Sequence, residues 1–187
     1  MKRSLMLTLM LLCLLVSAAW PAPVTITVGS DPLWTDTGIV ARPNDAVAID
    51  HISGGWTWAD WNEDAPLSGP RGSAQPGLTW DEWIRNGQHG QLIGYIGTDD
   101  PNAFPRTVKQ DSSGLFVVGD GVEFLNRLTG KVWLGFNDDY SNDAWVDDNS
   151  GSVVVSLDIT PVPEPSTLLL FGAGLAGIGL ALRRFRK

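Results

Sequence analysis

Ligand-type side chains are densest between Asn137 and Ser152, where the chain reads Asn-Asp-Asp-Tyr-Ser-Asn-Asp-Ala-Trp-Val-Asp-Asp-Asn-Ser-Gly-Ser. Five aspartates and three asparagines lie there between two β-rich runs. Carboxylates this close repel one another, and a hard cation relieves the repulsion. Ca²⁺ suits such a segment, because it takes about 6–8 oxygens from carboxylates, amides and backbone carbonyls. The segment is not an EF-hand, since the Asp-x-Asp-x-Asp-Gly pattern and the closing Glu are absent. Composition alone fits a calcium loop and a solvated acidic hairpin loop equally well.

Other chemistry is sparse. The only cysteine is Cys13, in the leader, so the rest of the chain has no disulfide framework, thiolate zinc site or thiol nucleophile. His51 falls in an expected strand and His89 follows a Gly-Gln turn. With no second histidine or cysteine nearby, both read as structural. A glycosidase would need two carboxylates roughly 5–9 Å apart, but no motif singles out such a pair. No Ser-His-Asp arrangement can be placed either, so the chain reads as a binding protein and not an enzyme. Trp145, inside the acidic segment, and Trp61, in a polar run, are candidate platforms for stacking a sugar. Trp34 is ambiguous, while Trp56, Trp58, Trp80, Trp83 and Trp133 read as core.

The elements that must position these residues read as all-β. Short β-rich runs recur between Gly, Pro, Asn and Asp punctuation, at Val24–Val28, Thr37–Ala41, Val47–Ser53, Gly55–Ala59, Gln91–Gly97, Gly114–Val118, Lys131–Asn137 and Ser152–Ile159. Eight such runs predict a β-sandwich or jelly roll. Val153, Val155, Leu157 and Ile159 alternate with Val154, Ser156 and Asp158, as in a half-buried strand. One short helix is expected from the capping-box pattern Thr79-Trp80-Asp81-Glu82, ending at Gly87.

The charge divides along the chain. Residues 20–160 hold 7 basic and 20 acidic residues, a formal charge of −13 against −8 for the whole. That balance excludes nucleic acid as a partner, because phosphate binding needs Lys and Arg. Residues 1–19 read as a secretory signal peptide: Lys2 and Arg3, an apolar run from Leu5 to Val16, then Ser17, Ala18 and Ala19. Residues 20–160 form one acidic domain, and residues 161–187 form a tail. The tail carries Pro163-Glu164-Pro165, an uncharged stretch at 168–182 and a basic end, Arg183-Arg184-Phe185-Arg186-Lys187. Fifteen helical residues span about 22 Å, short of the ~30 Å hydrocarbon core. The flanking residues make it a marginal membrane span with its basic end in the cytoplasm.

The order Pro163-Glu164-Pro165, Gly-rich apolar helix and arginine cluster resembles the PEP-CTERM sorting signal. The resemblance implies recognition by an exosortase-type membrane enzyme, transient anchoring in the inner membrane and delivery to the periplasm, outer surface or extracellular matrix. It also implies a setting of exopolysaccharide and biofilm. The middle domain resembles the calcium-dependent galactophilic bacterial lectins of the PA-IL type. That likeness rests on Gly130–Asp138 followed by Asp148-Asn149-Ser150-Gly151-Ser152-Val153. Further landmarks stand in order at Thr37–Val40, Pro43–Val47, Ser53–Trp56, Gly69–Gly72, Gln91–Gly97 and Ser113–Phe116.

The lectin resemblance implies side-chain calcium ligands at Asp138, Asp148 and Asn149, with backbone carbonyls from Asp139 and near Ala59. Two sugar hydroxyls would complete the shell at Asp138 and Asn149, beside Trp145 and, as a loose match, Gln75. Two departures stand out. The Asp138–Asp148 loop is longer than in the galactose binders, and the loop after Gly69-Pro70-Arg71-Gly72 has no His. The expected function is an exported, calcium-dependent carbohydrate-binding protein of an extracellular matrix. The alternatives are a structural matrix protein on the same scaffold and a glycoside hydrolase.

Overall fold

The computed structural model describes residues 22–57, 67–73, 82–103, 106–138, 149–162 and 165–184. The expected signal peptide lies outside the described residues. Among the described residues, nine strands form two antiparallel sheets that pack as a sandwich. They are β1 (Val24–Gly29), β2 (Trp34–Ala41), β3 (Asp45–Thr57), β4 (Arg71–Ser73), β5 (His89–Gly97), β6 (Leu115–Val117), β7 (Gly121–Leu125), β8 (Gly130–Asn137) and β9 (Ser150–Pro161). One sheet runs β1-β9-β3-β7. The other runs β2-β8-β5-β4, with β6 also paired to β5.

The alternation expected in β9 holds. Val153, Val155 and Leu157 are buried and Ile159 packs at the margin, while Val154, Ser156 and Asp158 are only partly buried. Val28, Val47 and Ile49 join them from the same sheet, facing Leu92, Val132, Leu134 and Phe136 of the other. Two runs read as separate strands are one. β3 continues from Asp45 to Thr57 through a bulge between His51 and Ser53, which leaves Ile52 unpaired and exposed. A bulge inserts one residue and bends the strand without ending it. β4 and β7 were not expected: β4 is three residues, Arg-Gly-Ser, held by pairing to β5, and β7 is a half-exposed edge strand.

The second face of the β2-β8-β5-β4 sheet is also buried. Trp34, Tyr95 and Trp133 stand there, which settles Trp34 as a core residue. Trp83 packs edge-on against Trp34 at 5.1 Å, with the Arg106 guanidinium 5.4 Å above its ring. Burial, together with the carboxylate of Asp99, pushes the Tyr95 phenol above its ordinary value of 10.0. The folded state therefore keeps this proton where the unfolded chain loses it, so the contribution is intact below about pH 10 and declines as pH rises further. An absorbance titration should show one tyrosine ionising late, and Tyr95→Phe should remove that step.

The expected short helix is not seen in the described part of its span. Residues 74–81 lie outside the described residues, and Glu82–Gly87 run in turns. Tertiary partners take the backbone groups that a helix would use. The Asp111 amide donates to Trp83 O at 3.0 Å, and the Arg85 amide donates to Asp111 Oδ1 at 3.0 Å. Glu82, expected to cap a helix, is buried instead. Gly87 is needed for clearance, since a Cβ there would stand 2.7 Å from Asn137 Nδ2.

The C-terminal helix α1 spans Pro165–Arg184, with proline at its first position, where its missing N–H costs nothing. Phe171, Leu175 and Ile178 are exposed along it. Among the described residues, no helix is long and apolar enough to cross a membrane.

Candidate functional site

One end of the sandwich holds the described candidate residues, Asp138 and Asn149. β3 ends there at Thr57, β8 ends at Asn137, and β5 and β9 begin at His89 and Ser150. Thr57 pairs with Ser150, Gln91 with Asn137 and Ser73 with His89, so both sheets meet at this end. Asp138 follows β8 in one sheet and Asn149 precedes β9 in the other.

The structure brings these two together. Asn149 Nδ2 donates to Asp138 Oδ2 at 2.5 Å, and each residue is only 6% exposed. Asp139, Asp148, Ala59, Trp145 and Gln75 lie outside the described residues, as do Pro163 and Glu164 of the sorting motif, whereas Pro165 opens α1. Thr57, Ser73 and Asp138, the described residues that precede segments 58–66, 74–81 and 139–148, all stand at this end.

The base of the site is rigid. Trp56 is fully buried, and its indole N–H donates to Gly90 O at 2.7 Å. Its ring meets Phe136 edge-on at 4.7 Å. Gly151 has φ +100°, and a Cβ there would come within 2.6 Å of Gly55 O, so only glycine lets β9 lie this close to β3. Asn137, also fully buried, uses its side-chain amide as a clamp. Its Oδ1 accepts from the Ile84 amide at 3.0 Å, and its Nδ2 donates to Gln88 O at 3.0 Å and Ile84 O at 3.3 Å.

Two residues of the site were not expected. His89 lies between two carboxylates, with Nε2 3.6 Å from Asp138 Oδ1 and Nδ1 3.6 Å from Glu82 Oε1. The side chains of Glu82 and His89 are 1% and 11% exposed. His89 sits in no recognisable motif, and Glu82 closes a capping-box pattern that points to a helix start instead. What the sequence did offer was a buried-type run, His-Gly-Gln-Leu-Ile-Gly-Tyr-Ile-Gly, that starts with a polar ring.

The donor set suits a hard cation in part. Asp138 supplies a carboxylate and Asn149 an amide oxygen, both of the type Ca²⁺ takes. Asn149 turns its N–H toward Asp138, so offering Oδ1 to a cation requires the amide to rotate. Among the described residues, no three His, Cys, Asp or Glu side chains converge as a metal site.

Comparison with known proteins adds two findings. Residues 161–187 match the PEP-CTERM protein-sorting motif, which marks an exported protein. Among solved structures, the chain is similar to the EclA N-terminal domain, a PllA-like lectin, at 18% identity and a TM-score of 0.50. The match covers 74% of this chain and 98% of that one. The sandwich is therefore lectin-like in fold. Comparison with curated proteins gives no match.

Proposed function

We propose that this chain is an exported, surface-sorted carbohydrate-binding protein of an extracellular polysaccharide or biofilm matrix, and that it holds its glycan through calcium at the Asp138–Asn149 end. The observation that carries this reading is the convergence of Asp138 and Asn149. They stand 11 positions apart in sequence and adjoin strands of different sheets, yet their side chains meet in a buried spot at the end of a lectin-like sandwich. Asp148, the carbonyls of Asp139 and Ala59, and two sugar hydroxyls would fill the remaining calcium positions. Trp145 and Gln75 would flank the sugar. The glycan class is a vicinal diol, whose paired oxygens suit the irregular geometry Ca²⁺ accepts.

The sorting tail supports delivery to the surface. An exosortase-type enzyme would engage Pro163-Glu164-Pro165 while residues 168–182 rest in the inner membrane with the arginines inside. The fold and the sorting motif point to a non-enzymatic protein.

Calcium titration followed by thermal melting tests the reading. A ligand held only by the folded state should add about 2.7 kcal/mol at a hundredfold excess over its Kd, and EDTA should reverse it. Asp138→Ala should abolish both the calcium response and calcium-dependent glycan binding on an array. No heat and no melting shift at millimolar Ca²⁺ would sink the calcium site. A calcium response with no glycan bound would select the structural matrix scaffold instead.

A further inference from the structure

A sheet edge exposes backbone groups that invite another strand, and proteins usually blunt it with charges, bulges, prolines or short strands. Among the described residues, the other sheet edges carry such devices. β7 has Glu123 at its centre, β2 shifts register between Asp36 and Val40, and β4 and β6 are three residues each. β1, the edge strand beside β9, carries none. It reads Val24-Thr25-Ile26-Thr27-Val28-Gly29, without a charge, and its register against β9 is unbroken.

The pairing shows which groups face the free edge. In an antiparallel pair, successive residues alternate between bonding the partner strand and turning their N–H and C=O away from it. The Ser30 amide donates to Gly151 O at 3.2 Å, continuing the register that sets Gly29 opposite Ser152. Counting back by twos, Val28, Ile26 and Val24 bond to β9. Thr25 and Thr27 therefore turn their backbone groups outward, and both residues are exposed. The strand is also a palindrome about Ile26, Val-Thr-Ile-Thr-Val. Turned about a two-fold axis at Ile26, it meets itself with like against like. Thr25 falls opposite Thr27, Val24 opposite Val28, and Ile26 opposite its own copy. Outward-facing threonines thus face outward-facing threonines, and their N–H and C=O groups exchange bonds in register.

We infer that β1 is a self-complementary docking edge whose occupant is β1 of a second copy, joining the two four-stranded sheets into one. The interface uses the same residues on both copies, as a closed two-fold dimer requires. Cross-strand threonine pairs stabilise such a ladder, and Val24, 46% exposed in the single chain, is covered by the copy's Val28. The two acidic domains repel one another, so association should tighten as salt screens them. The pairing also sets where the candidate sites point. β1 ends beside Gly151, at the Asp138–Asn149 end of the sandwich. Antiparallel pairing therefore aims the two sites in opposite directions, so the dimer bridges two polysaccharide chains. The dimer stands on the edge alone; its bridging role rests on the proposed function.

The test uses the full chain in mild detergent, with Cys13→Ser in every variant so that no native thiol remains. Sedimentation should show a monomer–dimer equilibrium. Thr27→Pro removes an outward N–H while leaving the bonds to β9, a place where an edge strand tolerates proline. It should weaken the dimer by about tenfold or more. Cross-linking reads the register. Ile26 and its copy form a non-hydrogen-bonded pair with Cα atoms roughly 4.5 Å apart, a gap that a disulfide spans. Under mild oxidation, Ile26→Cys should cross-link about tenfold faster than Thr25→Cys, although Thr25 is the more exposed, because the two Thr25 copies stand out of register. If Thr27→Pro does not fold, this contrast decides alone. A chain that stays monomeric, a dimer unmoved by Thr27→Pro, or Thr25→Cys cross-linking as fast as Ile26→Cys would overturn the inference. So would an open polymer, the sign of β1 pairing with a different edge. A dimer that fails to bridge glycan-coated beads would uphold the docking edge and count against the proposed function instead.

Discussion

Trp56→Ala is expected to cost about 3–5 kcal/mol of folding free energy, lowering the melting temperature by roughly 10–15 °C. Three losses combine. The indole is fully buried, so its removal leaves a large cavity at the join of the two sheets. Its edge contact with Phe136 goes, and so does the bond to Gly90 O at 2.7 Å. That carbonyl belongs to the residue beside His89, so the start of β5 loses its anchor as the cavity opens. Trp56→Phe separates the terms: it refills much of the volume but not the hydrogen bond, and should recover more than half of the loss. Chemical denaturation at equilibrium measures both. A Trp56→Ala cost under about 1 kcal/mol, the scale of a surface substitution, would mean that this end of the sandwich is not the tightly packed platform described above.

The residues that were legible in the sequence are those whose signal is local. The alternation in β9 reports a one-faced strand because side chains switch sides at every residue, and Val153, Val155 and Leu157 are indeed buried. Asp138 and Asn149, which the lectin resemblance singles out, meet because β8 ends and β9 begins at the same end of the sandwich. The helix expected to run on to Gly87 is absent from Glu82–Gly87 for a physical reason. Its local gain is small next to what Trp83 gains against Trp34, and the backbone at Trp83 and Arg85 bonds to Asp111 instead. Glu82 and His89 were out of reach of any pattern. Their meeting depends on the turn at 84–88 folding under Asn137, a contact between positions 53 apart. A lone histidine in a strand carries no sign of which carboxylates the tertiary fold will set beside it.

Asn137→Ala is the second substitution with a large expected effect, and it separates the structural asparagine from Asp138, the proposed ligand next to it. Asn137 is fully buried, and its amide makes three hydrogen bonds to the turn that leads into β5. After truncation, Ile84 O keeps the Gly87 amide and Gln88 O keeps the Gln91 amide as donors. The partly buried Ile84 amide loses its acceptor, and leaving such a donor unsatisfied costs about 1–3 kcal/mol. With two weakened carbonyls and a small cavity added, the total should reach about 3 kcal/mol. Asn137→Asp is predicted to be at least as harmful, although it is nearly isosteric. A carboxylate can still accept from the Ile84 amide, but it turns an acceptor toward Ile84 O and Gln88 O where the amide had donated. It also adds a buried negative charge next to Asp138 in the chain. Thermal melts of both variants in EDTA check this without any contribution from metal. If Asn137→Asp melts with the wild type while Asn137→Ala falls, shape and not donor pattern holds the turn, and the clamp as described is wrong.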